Sequence, residues 1–102
     1  MKSAIQKMLL SVGITPDLSG FNLIVEAIQI KAEEPEIGTT KIYKRLATVD
    51  SYANVERKIR HAVSKADRKS VESLFDTKIP TGKEKFKNEQ FIALCALKIK
   101  EG

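Results

Sequence analysis

Arg57, Arg60, His61, Ser64 and Arg68 recur at spacings that place them on one side of a helix read from about Asn54 to Asp67, with Lys58 and Lys65 flanking them. On the opposite side, Val55, Ile59, Ala62, Val63 and Ala66 fall within a sector of roughly 100° and form a core-facing stripe. An ordinary surface helix mixes Glu with Lys to gain pairs one turn apart. Here three arginines share a face with no acid among them, and like charges so placed cost a few tenths of a kcal/mol per pair. A polyanion would offset that cost. Arginine also suits the task, because its planar fork can grip guanine O6 and N7, or a phosphate, through two hydrogen bonds. Glu56, beside Arg57, has two readings. Its carboxylate can accept from a cytosine amine or orient the neighbouring guanidinium, or it is a first-turn acid stabilised by the helix dipole.

The wider charge pattern agrees. The chain has 102 residues and a net charge of +5. Between Lys41 and Lys69 nine basic residues face three acids, a segment of +6, so the remainder sums to −1. A basic block of this kind suits a polyanion, although a solvated surface with a chance excess of lysine has the same composition.

Other chemistry finds little support. His61 and Cys95 are the only residues of their types, and no carboxylate cluster accompanies them, so no usual zinc site can be built. Cys95 lies in the apolar run Phe91–Leu97 and reads as a small core residue. A catalytic Cys–His pair needs contact between the two, yet His61 belongs to the polar face. No glycine-rich phosphate loop is present. The sequence therefore argues against an enzyme, a metal and a cofactor. No apolar run reaches the roughly 18 residues that span a bilayer, the start lacks the apolar stretch of a signal peptide, and a lone Cys permits no internal disulfide. These features point to the cytoplasm. A membrane-surface helix is disfavoured too, because the basic helix lacks Trp, Phe and Leu anchors.

The elements that position this face read as helices throughout, within one domain over 1–102. Ile5, Met8, Leu9 and Val12 stripe a first helix from about Lys2, with Gly13 at its C-terminus. A second spans about Ser19 to Ala32, capped by Asp17 or Ser19 and ended before Pro35. A short third runs from Thr39 to about Ala47, burying Ile42, Tyr43 and Leu46. After a polar connection comes the arginine-bearing helix, then a short one over Val71–Phe75. A loop follows from Asp76 to Lys87, and a last helix over about Glu89–Lys100 is capped by Asn88. No segment alternates as a strand would. The expected fold is all-α, a bundle of about six helices. The third and fourth helices have the order of a helix-turn-helix, in which the second helix enters the major groove and Lys41, Lys44 and Arg45 of the first meet phosphates.

The run Val55-Glu56-Arg57-Lys58-Ile59-Arg60-His61-Ala62 resembles the recognition-helix signature of the C-terminal effector domain of the stage-zero sporulation response regulator A family, which reads Val-Glu-Arg-x-Ile-Arg-His-Ala. Gly20-Phe21, Ile24, Glu26, Ala27 and Ile28 resemble the family's second helix. Lys83, Lys85, Asn88, Phe91, Ile92 and Ala93 resemble its C-terminal loop and helix. The resemblance implies a six-helix fold around a helix-turn-helix that binds double-stranded DNA near promoters, often as tandem copies, and regulates transcription on the nucleoid. It implies that Glu56 and Arg57 read bases, that Arg60 and His61 lie beside the groove, and that Lys83 and Lys85 approach the DNA backbone. Asn54 stands where the family has a basic residue, so the base contact implied there differs. The RNA polymerase sigma subunit is an implied partner through the stretch between His61 and Phe75, which is shorter here, as is the stretch between Gly38 and Val55. The family's N-terminal receiver domain has no counterpart in these residues. Met1 directly before the first helix favours a stand-alone chain over an excised fragment. The competing expectation is a protein-interaction module that masks a full-length regulator, but such a module has no need of the Glu56-Arg57-x-x-Arg60-His61 set.

Overall fold

The computed structural model describes residues 1–48, 50–78 and 87–101. Six helices follow in order: α1 (Lys2–Ser11), α2 (Phe21–Glu33), α3 (Thr39–Leu46), α4 (Tyr52–Ser64), α5 (Arg68–Phe75) and α6 (Asn88–Glu101). No strand occurs among the described residues. The fold is all-α, as the periodicities predict.

α2 is the axis of the bundle. It lies most extensively along α6 and also touches α1, α3 and α4. Its sequence explains this position. Phe21, Ile24, Val25, Ala27, Ile28 and Ala32 are all buried, and Leu23 and Ile30 are partly so. The buried side chains of the helices join in one cluster that also takes in Ile14 and Ile37 from the connections.

α1 ends as its Gly13 foretells. Gly13 has φ +91°, its N–H donates to Leu10 O at 3.1 Å, and the N–H of Ile14 reaches back to Leu9 O at 3.0 Å. This is the paired closure of a Schellman motif. Its accompanying apolar contact partners, Leu9 and Ile14, are both fully buried.

Several helix boundaries differ from expectation, for reasons of capping and tertiary contact. Neither Asp17 nor Ser19 caps α2. Its N-cap is Gly20, without a side-chain bond, and the Asp17 carboxylate accepts from Thr15 instead. The chain enters α2 hard against the backbone of α4, and a Cβ built on Gly20 would meet Lys58 O at 2.2 Å. The helix expected to reach Asp67 stops at Ser64. The N–H groups of Lys65 and Ala66 turn to Ala62 O and Val63 O, and that of Asp67 donates to Val12 O at 2.7 Å. Asp67 then becomes the N-cap of α5, accepting from Ser70 N at 2.9 Å. Arg68 thus belongs to α5 and not to the arginine-bearing helix. Finally, α6 begins at Asn88, whose side-chain amide donates to Tyr43 Oη (3.0 Å) and to Glu56 O (3.3 Å). Asn88 joins α6 to α3 and α4 rather than capping its own helix. Of the loop expected over Asp76–Lys87, residues 79–86 lie outside the described residues. Asp76 itself, at φ 50° and ψ 48°, closes α5 in the left-handed region, which a short polar side chain tolerates.

Candidate nucleic-acid interface

α4 is built to show one side. Ser51 is its N-cap and accepts from Asn54 N at 3.2 Å. Val55, Ile59, Ala62 and Val63 are buried, and Ala66, just past the helix, joins them in the core. Each buried branched aliphatic contributes roughly 1.5–3 kcal/mol. Together they outweigh the few tenths of a kcal/mol that each like-charged pair costs on the outer face. Arg57, Arg60, His61 and Ser64 are exposed, while Asn54 and Glu56 are half-buried. The cationic side therefore stays open because the apolar side holds the helix in register.

The outer face contains an acid that the sequence reading left off it. Glu56 lies one turn before Arg60 and pairs with it at 3.3 Å, with 65% of the arginine side chain still exposed. Because α4 starts at Tyr52, Glu56 lies beyond the first turn and is not a dipole-stabilised first-turn acid. An exposed pair of this spacing is worth only about 0.3–0.5 kcal/mol, so a phosphate can take Arg60 from it.

A second network runs across the N-terminal end. Arg57 Nη2 donates to Asn54 Oδ1 at 2.8 Å, Asn54 Nδ2 donates to Asp50 Oδ1 at 3.0 Å, and Lys58 pairs with Asp50 Oδ2. The bonds from Lys58 first, and then Asn54, hold the Asp50 carboxyl below its ordinary range. In the sequence Asp50 stands out only as a charge. The signal available was its spacing, four residues before Asn54 and eight before Lys58.

On α3, Lys41 and Lys44 are exposed. Arg45, expected with them on phosphates, forks onto Glu34 at the end of α2, with Nη2 donating to Oε1 at 3.0 Å. That bond draws Glu34 below the usual carboxylate range and raises Arg45 further. α3 and α4 pack against each other, and the ring of Tyr43 meets that of Tyr52 edge to face with centroids 5.6 Å apart. Burial pushes the Tyr43 phenol pKa up, more than the bond from Asn88 draws it down. An open groove of about 730 Å3 lies between α3, α4 and the start of α6, with Thr39, Thr40, Arg60, Ser64 and Lys87 among its walls. Lys87 thus joins the cationic side, a residue that sequence reading passed over. Lys83 and Lys85 lie outside the described residues.

The groups that could have suggested other chemistry stand apart. Cys95 is fully buried in α6, and burial pushes its thiol pKa far up, whereas His61 is exposed on α4. Among the described residues no cluster of three or more His, Cys, Asp or Glu could hold a metal. No described helix is long and apolar enough to cross a membrane.

A family model described as "Sporulation initiation factor Spo0A C terminal" matches residues 5–99, from α1 to α6. The chain belongs to this family. The Spo0A C-terminal family is one of DNA-binding effector domains of transcription regulators, not of enzymes. The match covers the buried Ile5, Met8 and Leu9 of α1, the central α2, the arginine-bearing α4 and most of α6. The resemblance of the Val55–Ala62 run thus extends through the whole bundle. No curated protein matches the chain.

Proposed function

We propose that this chain binds duplex DNA sequence-specifically, with the exposed side of α4 in the major groove. The observation that carries this reading is the division of α4. One side is locked into the core by Val55, Ile59, Ala62 and Val63, while the other offers Arg57, Arg60, His61 and Ser64 to solvent. In this reading Glu56 and Arg57 reach base edges, and Arg60, His61 and Ser64 meet the groove walls and phosphates. Lys41 and Lys44 of α3 and Lys87 beside α6 add backbone contacts. Lys83 and Lys85 belong to the same set through the family resemblance alone. Tandem copies on neighbouring sites and contact with the RNA polymerase sigma subunit are part of the same proposal, by the same resemblance.

Fluorescence anisotropy of a labelled duplex titrated with the chain at several salt concentrations tests it. The expected Kd is micromolar or tighter at low salt. Its logarithm should climb steeply with the logarithm of salt, because each neutralised phosphate adds about 0.9 to the slope. Binding that is absent at low salt, or insensitive to salt, rejects the proposal.

A further inference from the structure

Asp50 precedes the N-cap of α4 and is not among the groups proposed to touch DNA. Its carboxylate accepts from Lys58 Nζ and from Asn54 Nδ2, and Asn54 Oδ1 accepts from Arg57 Nη2. A carboxylate has no hydrogen to give, and a guanidinium has no lone pair to receive one. Asn54, between them, can satisfy both in one orientation only. Turned over, its Oδ1 would face the carboxylate and its NH2 would face the guanidinium, two repulsive contacts in place of two bonds. Asp50 thereby fixes the face that Asn54 shows to Arg57, and Lys58 fixes Asp50. The tether engages Arg57 through Nη2 and leaves donors on its other nitrogens. An untethered arginine on an exposed helix face samples many rotamers, most of them unsuited to a two-bond grip on a base.

We propose that Asp50 and Asn54 are specificity-determining positioning residues: through the Asp50–Asn54–Arg57 relay they hold the Arg57 guanidinium ready for bidentate base contact. Asn54 then acts through Arg57 and touches no base itself. The inference rests on the reading of Arg57 as a base-contacting residue. It gives a negative charge close to the DNA-facing end of α4 a purpose beyond its pairing with Lys58.

A double-mutant cycle of Asp50→Ala and Arg57→Ala tests the relay. The probes are a duplex recovered by the intact chain from a random pool and a scrambled duplex of the same composition. In the wild-type background, Asp50→Ala should lower the preference for the recovered duplex about tenfold, part of what a bidentate pair supplies. Binding to the scrambled duplex should stay the same or tighten, because an acid is lost. With Arg57→Ala already present, adding Asp50→Ala should leave the preference unchanged within about twofold. An unchanged preference in the wild-type background, or an equal fall in both, overturns the relay. If Arg57→Ala alone leaves the preference intact, the reading of Arg57 has failed and the relay falls with it. Asn54→Ala, which spares the Asp50–Lys58 pair, should reproduce the loss and serves if Asp50→Ala unfolds the chain.

Discussion

Gly20 abuts the backbone of α4 so closely that a Cβ built on it would sit 2.2 Å from the carbonyl oxygen of Lys58 and 2.7 Å from its carbonyl carbon. The obstacle is backbone, which cannot swing aside as a side-chain tip can. The conformation of Gly20, φ −89° and ψ −1°, is open to any residue, so the demand is for space and not for backbone freedom. Gly20→Ala should therefore force α2 and α4 apart and cost about 1–3 kcal/mol, in the range of overpacked cores. For a domain of this size each kcal/mol lowers Tm by roughly 4–8 °C. Thermal unfolding followed by circular dichroism checks this. An unchanged Tm would mean that the two helices are not in this contact.

Asn88 offers a second check on how α4 is held. Its amide donates to Tyr43 Oη and to Glu56 O, from α6 to α3 and α4 at once. Asn88→Ala removes both bonds, one to the phenol of the buried Tyr43 and one to the Glu56 carbonyl. A net loss of about 1 kcal/mol is expected, since a typical hydrogen bond contributes roughly 0.5–1.5 kcal/mol. Urea unfolding with an unchanged slope and a lower midpoint is the predicted result. An unaltered midpoint would remove Asn88 from the contacts that orient α4.

The ion pairs at the ends of α2 and α4 set an acid dependence. Asp50 and Glu34 both titrate lower in the folded chain than in the unfolded one, through hydrogen bonds from Lys58 and Arg45 respectively. A depressed carboxyl contributes its full share of stability above its unfolded pKa, about 4. That share is lost as pH falls through the folded value. Wild-type stability should thus decline below about pH 4, and Asp50→Ala combined with Glu34→Ala should flatten that decline while leaving its other parts in place. Urea midpoints between pH 3 and 7 measure the difference. Parallel curves for the two proteins would show that neither pair is favoured by folding.

Much of this was legible in the residue pattern, and the misses have physical causes. The stripe Ile5, Met8, Leu9, Val12 and the stripe Val55, Ile59, Ala62, Val63, Ala66 are buried as periodicity predicts, because an amphipathic helix has one way to hide its apolar side. The end of α4 was misplaced by three residues. Nothing in its own periodicity stops the helix at Ser64, whereas the Asp67 N–H bond to Val12 O comes from a residue more than fifty positions away. The Asp67-x-x-Ser70 cap was readable, and it is the local half of that boundary. The role of Arg45 was lost for the same reason: its partner, Glu34, sits at the end of another helix. Gly20 gave no sign of its function as a spacer, since only the packing of α4 reveals what a side chain would strike. Asn88 read as a cap because its type and place fit one, and tertiary partners claimed its amide instead.

Arg57 is exposed on α4 and steadied by Asn54. The most direct test is the preference of wild-type and Arg57→Ala chains for a selected duplex over a scrambled one, at the same salt. The variant should lose about 1–3 kcal/mol on the selected duplex and far less on the scrambled one, so that sequence preference relaxes. Equal losses on both duplexes would contradict the claim and reduce Arg57 to a phosphate contact.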